Sequence, residues 1–223
     1  MKAAGSARVA LAAMLVLAAC SAEPTPSPRP ACPTAPPTTV SAQATLEDAT
    51  LATVTVSGAV EGQFAFELYG DQAPIATANF VALARCGFYE GIWFHRILAG
   101  FVIQAGDPGT KTHDAPFQGM GSGGAGYEFE IEPPAEGLDY VPYSVAMANN
   151  TQTNDSQFFV SLVDLSGGLD LLYTIFGQVV TGTDVIDEIA AVPVANSQGE
   201  PLELVTIESI EISGGSEPLP SGE

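Results

Sequence analysis

Arg96 is the residue around which a chemistry can be argued. It sits in Trp93-Phe94-His95-Arg96-Ile97-Leu98, an apolar stretch, in a chain with six Lys and Arg against 26 Asp and Glu. Arginine keeps its charge under any folding condition. In such a stretch it must reach solvent, pair with a carboxylate or serve a site, and from that context alone a structural ion pair is the commoner outcome. Other chemistry is sparse. The chain has no G-x-S-x-G, H-E-x-x-H, C-x-x-C or phosphate-loop pattern. Two histidines, His95 and His113, are too few for a His-rich metal centre, and His113 falls in a polar loop and reads as surface. Residues 119–126, GMGSGGAG, lack the lysine of a phosphate loop and read as a flexible loop lining a groove. A nucleic-acid binder needs a basic face, and a net charge of −20 excludes one. The acidic balance favours solubility and repels anionic partners.

The elements that must position these residues are mostly strands. In 63–68, Phe64, Phe66 and Leu68 alternate with Gln63, Ala65 and Glu67, and 51–56 is also β-like. Segments 93–98, 101–104, 144–148, 157–162, 174–180 and 205–212 read as further strands. Pro74 opens a helix whose Ala76, Phe80, Leu83 and Gly87 share one stripe, with Gly87 as its C-cap, and a short helix fits 183–190. With 23 Gly and 17 Pro supplying turns, this pattern predicts a mainly β domain over 49–213, a closed barrel capped by two helices.

The ends read differently. Lys2 and Arg8 precede an apolar run, 9–19, of signal-peptide length; spanning a bilayer takes roughly 20 residues. The run ends in Leu17-Ala18-Ala19-Cys20, which resembles the lipobox of bacterial lipoproteins. That resemblance implies a signal peptide over 1–19, a lipidated Cys20 and an extracytoplasmic, membrane-anchored protein at the cell surface or a periplasmic face. Residues 20–48, rich in Pro, Ser, Thr and Ala, read as an extended linker, and 214–223 as a disordered tail. The mature chain then keeps four basic residues: Arg29, Arg85, Arg96 and Lys111. Cys32 and Cys86 would meet an oxidising compartment. A bond between them is possible, but a linker places Cys32 poorly for it, and spacing leaves the connectivity open.

Residues 94–107, FHRILAGFVIQAGD, resemble the signature of the cyclophilins, in which FHR leads to a Phe and a Gln at this spacing. Met147-Ala148-Asn149 with Asn154 and Ser156-Gln157-Phe158-Phe159 match a second motif. Leu169-Asp170 with Phe176-Gly177-Gln178-Val179 match a third. Ala73-Pro74, Asn79-Phe80 and Gly87-Phe88-Tyr89-Glu90-Gly91 extend the resemblance over most of 50–213 in family order. It implies an eight-stranded antiparallel β-barrel with a helix at each end and a groove on its outer face. It also implies a peptidyl-prolyl cis-trans isomerase that needs no cofactor or metal.

By the same resemblance Arg96, Phe101 and Gln104 are the catalytic group. Val102, Ala148, Asn149, Gln157, Phe159, Leu169 and Tyr173 bind substrate: Phe101, Phe159 and Leu169 hold the proline ring, and the Asn149 backbone holds the residue before it. Three positions depart from the family pattern. Val102 replaces a common methionine. The loop 150–155 is one residue short, with Asp155 in place of glycine. Gly168 stands where many members carry a tryptophan that binds cyclosporin. The partners so implied are proline-containing, unfolded or flexible polypeptides and, through the anchor, a membrane, with no nucleic acid and a monomeric chain. Two rivals stand beside this reading: a barrel that binds proline segments without catalysis, and a surface interaction protein that works through its linker and acidic body.

Overall fold

The computed structural model describes residues 28–112, 119–169 and 172–214. The apolar run 9–19, Cys20, His113, Asp170 and nearly all of the tail expected over 214–223 lie outside the described residues.

Among the described residues nine strands and three α-helices, with a short 3-10 helix at Pro108–Lys111 after the fourth strand, follow one another along the chain. They are α1 (Thr39–Leu46), β1 (Leu51–Gly58), β2 (Gly62–Leu68), α2 (Pro74–Arg85), β3 (Arg96–Leu98), β4 (Val102–Ala105), β5 (Phe129–Glu130), β6 (Ser144–Asn149), β7 (Thr153–Ser161), β8 (Ile175–Thr181), α3 (Thr183–Ala190) and β9 (Val205–Ser213). Eight strands form one antiparallel sheet in the order β3-β4-β7-β6-β8-β2-β1-β9, and β5 adds a short pairing to β7. The sheet closes on itself. Gly91 N–H donates to the Ile207 carbonyl at 2.9 Å, Ile207 N–H to Ile92 at 2.8 Å and Phe94 N–H to Val205 at 3.0 Å. The segment entering β3 is thereby joined to β9, leaving no open edge there. The expected strand 93–98 is thus divided: residues 91–94 serve β9, while His95 N–H, which donates to the Gln104 carbonyl, and Arg96–Leu98 serve β4.

Alternation builds the interior. In β1 Ala52, Val54 and Val56 are buried while their neighbours are half-buried, and β2 adds Phe64, Phe66 and Leu68. Gly177 and Gly182 are two of the positions that require glycine. At Gly177 a Cβ would meet the Glu67 carbonyl at 2.5 Å. Gly182, at φ +74°, turns the chain from β8 into α3 in a conformation that disfavours side chains.

Helix α2 starts at Pro74, where a missing N–H costs nothing. Its first free donors, Ile75 and Ala76 N–H, bind the two oxygens of Glu132 at 3.0 and 2.8 Å. Its end is a Schellman turn: Gly87 N–H reaches Ala84 and Phe88 N–H reaches Leu83, each at 2.9 Å. Cys86 therefore holds the cap, and Gly87, at φ +80°, follows it in the left-handed position. Phe80 on the buried stripe packs against Phe66, Phe158, Phe176 and Tyr89, plugging one end of the barrel. Helix α3 covers the other end with Ile186 and Ile189.

The linker expected over 20–48 is corrected in its second half. Thr38 and Ser41 form a capping box that starts α1. The helix packs on α2, and Arg85 donates to the Thr45 carbonyl at 2.8 Å. Cys32 is disulfide-bonded to Cys86, and Arg29 pairs with Glu90 at 2.6 Å. A covalent tether to the end of α2 removes much of the entropy that would keep such a polar segment loose.

Candidate active site

The buried side chains fall into two clusters. The larger fills the barrel. The smaller lies on the outer face and contains Val102, Tyr140, Ala146, Phe159 and Ile175, with Phe101, Ala148, Leu169 and Tyr173 half-buried against it. A second apolar surface that is covered by no element of the fold can serve as a binding site.

Registry places the polar residues beside it. Arg96 on β3 faces Gln104 on β4, and Gln104 faces Phe159 on β7. The side chains join in a row. Arg96 Nη1 donates to Gln104 Oε1 at 3.2 Å, and Gln104 Nε2 donates to Gln157 Oε1 at 2.9 Å. Gln157 Nε2 donates to the carbonyls of Gly121 and Gly123 at 2.9 and 2.7 Å. The direction of the row is forced. Carbonyls only accept, so Gln157 must turn its NH₂ toward them. Its oxygen is then left for Gln104, whose oxygen is left for the arginine. The guanidinium is fixed from one side and has donors free on the other. Its carbon lies 5.8 Å from the centre of the Phe101 ring. Among the described residues Arg96 makes no ion pair, so the structural pairing that its context favoured is absent. Burial lowers its pKa, Tyr173 raising it slightly in return, and the group stays charged.

The loop that supplies the two carbonyls is held by Asp107. This buried carboxylate accepts from Gly109 N–H at 2.8 Å and from Gly121 N–H at 2.7 Å. Sequence reasoning gave Asp107 no role, although it closes the 94–107 motif. Tyr140 was also missed. Its hydroxyl donates to the Tyr173 carbonyl at 2.9 Å and accepts from Tyr173 N–H at 3.1 Å, fixing the segment that carries Tyr173. Tyr173 then meets Phe159 edge-on at 5.6 Å.

The other named residues divide by exposure. Val102 is buried and forms the floor, while Phe101 and Leu169 stand at the rim. The Asn149 side chain is committed to its own surroundings: Nδ2 donates to the Leu172 carbonyl at 2.7 Å and Oδ1 accepts from Thr151 N–H at 2.9 Å. What Asn149 and Ala148 can offer a ligand is the backbone at the end of β6. Behind the row, His95 is buried with no hydrogen-bond partner at either ring nitrogen. Burial takes its pKa down to about 4, so it is neutral. Among the described residues no group of three or more His, Cys, Asp or Glu could hold a metal.

A hydrogen-bonded cation beside an apolar pocket suits a ligand that is apolar at one point and accepts a hydrogen bond at the next. Comparison with known proteins gives the same direction. The family model for cyclophilin-type peptidyl-prolyl cis-trans isomerases matches residues 51–212. A Helicobacter pylori peptidyl-prolyl cis-trans isomerase is 38% identical over 152 residues, 67% of this chain and 83% of that protein. The human peptidyl-prolyl cis-trans isomerase-like 3 is 36% identical over 155 residues, 68% of this chain and 90% of its own. A crystal structure of a Cryptosporidium parvum cyclophilin-type isomerase, determined in the presence of the dipeptide Ala-Pro, superposes with a TM-score of 0.63 at 30% identity. The match covers 74% of this chain and 99% of that one.

Proposed function

The chain belongs to the cyclophilin-type peptidyl-prolyl cis-trans isomerase family, and from that premise we propose that it is a membrane-anchored enzyme that turns X-Pro bonds in exported polypeptides. The observation that carries the catalytic part is an unpaired, half-buried Arg96 held by Gln104 at the edge of an apolar pocket.

The barrier to be lowered is roughly 18–20 kcal/mol and arises from amide resonance. As the bond twists, resonance is lost and the proline nitrogen acquires a lone pair that the planar amide lacks. A donor aimed at that nitrogen binds the twisted form more strongly than the planar one, which is the condition for lowering a barrier. Arg96 is that donor, and Gln104 and Gln157 hold its position. Phe101, Phe159 and Leu169 take the proline ring and keep water from the amide, where the charge acts more strongly. The backbone of Ala148 and Asn149 fixes the preceding residue while the ring side turns. No proton is transferred and no covalent bond is made.

The setting rests on other support. The apolar run before Cys20 marks export, and the Cys32–Cys86 bond suits an oxidising compartment. Among the described residues no helix is long and apolar enough to cross a membrane; the support for attachment through lipid on Cys20 is the Leu17-Ala18-Ala19-Cys20 sequence. Turnover of a short X-Pro peptide by the purified protein tests the activity, and an inert protein that still binds the peptide would leave only a binding barrel. Detergent phase partitioning tests the anchor: wild type belongs in the detergent phase and Cys20→Ala in the aqueous phase, and an aqueous wild type would end that part of the reading.

A further inference from the structure

Three of the four basic residues expected in the mature chain gather around residues 85–91, at the end of the barrel that α2 plugs. Arg85 closes the last turn of α2 and donates to the Thr45 carbonyl at 2.8 Å. The Arg29 guanidinium lies against Gly87 and pairs with Glu90 at 2.6 Å. Lys111 Nζ stands 5.5 Å from the centre of the half-buried Phe88 ring. Glu90 balances one of the three charges. Arg85 and Lys111 are exposed and make no ion pair among the described residues. The rest of the surface has the opposite sign: residues 112–223 contain no lysine or arginine, and Arg96 is half-buried in the groove.

The chain leaves the folded body at this same end. Cys32 is bonded to Cys86 and Arg29 is paired beside it, so the tether is only the stretch from Pro28 back to Cys20. A chain of that length spans at most about 28 Å. A folded body of this size is about 40 Å across. With Cys20 held at a bilayer, the far end under α3 is out of reach of the surface, and only the α2 end and its flanks can meet it. Charge decides between those. Within a Debye length of about 8 Å, anionic headgroups repel an acidic surface and attract a basic one. Exposed cations on long stems beside an aromatic ring also suit the headgroup layer.

Resting on the membrane-anchored reading above, we propose that the α2 end of the barrel is a docking surface for the anionic phospholipid headgroups of the membrane that holds Cys20. Arg85 and Lys111 meet lipid phosphates, and Arg29 keeps Glu90 neutralised. The Cys32–Cys86 bond has a part in this besides stability: it fixes the exit of the tether beside the basic residues. The acidic remainder of the barrel, with α3, then faces away from the bilayer.

Trp93, the single tryptophan of the chain, reports where this end lies, because its Nε1 donates at 2.6 Å to the carbonyl of Thr110, the residue before Lys111. The lipidated protein is placed in vesicles of phosphatidylcholine alone, or of phosphatidylcholine and phosphatidylglycerol in equal parts, each with a dansyl-headgroup lipid. Energy transfer from Trp93 is measured at low and at high salt. Transfer should be about twice as efficient on the anionic vesicles at low salt, and the difference should vanish at high salt. Arg85→Gln with Lys111→Gln should also remove the difference, whereas Arg96→Gln, which takes a cation from the groove, should leave it. Equal transfer on the two vesicles, or a difference that survives the loss of Arg85 and Lys111, overturns the docking surface. Flotation of the protein with its vesicles reads the anchor separately. A native protein that does not float ends the lipidation reading. The docking surface is then decided by the same transfer measurement on the chain coupled through Cys20 to a maleimide lipid, since Cys32 and Cys86 are already bonded.

Discussion

Strands β4 and β7 each carry two faces, and the faces are built by different rules. Inward, Ile103, Ala105, Phe158 and Val160 are fully buried in an apolar cluster where Phe80 meets Phe158 edge-on at 5.5 Å. Outward, the same strands place Val102, Gln104, Gln157 and Phe159 beside Arg96. The inner contacts are non-directional, so many apolar side chains of suitable volume could supply them. The outer contacts are directional and include a charge that no carboxylate balances. A barrel gains little stability from such a face. It is retained because something outside the protein must fit it.

The comparison is broken most strongly on the inner face. Phe158→Ala should cost about 3–5 kcal/mol of stability through lost contact and the cavity left behind. A denaturant titration reads this loss, and the fraction still folded should bind substrate normally. A stable Phe158→Ala protein with a ruined site would mean that the two faces are not separable.

Arg96→Ala is the opposite case. Turnover should fall on the order of 10²–10³, mainly in kcat, and stability should move by no more than about 0.5 kcal/mol. Arg96→Lys should recover part of the rate, since an ammonium lacks the planar fork that Gln104 orients. Peptide turnover beside a thermal melt for each variant checks both. Wild-type turnover by Arg96→Ala would remove the catalytic assignment.

The N-terminal strap asks whether a third region behaves like the inner face. Cys32→Ser or Cys86→Ser should lower stability by about 2–4 kcal/mol, as for other native disulfides. Isomerase activity should be kept below the melting temperature. Unchanged melting in the presence of reductant would return residues 28–46 to the status of a passive spacer.

His95 sharpens the boundary between the faces. Its folded pKa of about 4 lies below the ordinary 6.5, so the unfolded chain takes up a proton first as pH falls. The stability contributed by neutral His95 is present above pH 6.5 and is lost toward pH 4, by about 3 kcal/mol. Asp155, with its raised pKa, acts with the opposite sign over the acid range. His95→Phe should therefore be less acid-sensitive than wild type in melts taken between pH 7 and 4. An identical slope in both proteins would show that His95 is not the titrating group.

Local pattern made much of this molecule legible. The alternation of Phe64, Phe66 and Leu68 gives β2 and its inner face, and Pro74 and Gly87 bracket α2, because strand period, fixed φ and left-handed caps are properties of short segments. The spacing of Arg96, Phe101 and Gln104 is equally local: β3, a turn and β4 carry it, so one stretch of sequence delivers the core of the candidate site. The short β5 was not legible, since two residues hold no period. Nor was α1, whose single buried residue, Ala42, leaves no stripe to read.

What the tertiary structure alone decided are the pairings between distant segments. Cys32 meets Cys86 across 54 residues. Asp107 fixes the loop whose carbonyls orient Gln157, and through it Gln104 and Arg96. Glu128 and Asp155 face one recess because β5 pairs with β7. Sequence specifies which groups are present and how each segment is bent. Which charges are left unbalanced depends on where closure of the barrel brings those segments, and no periodicity along the chain encodes that distance.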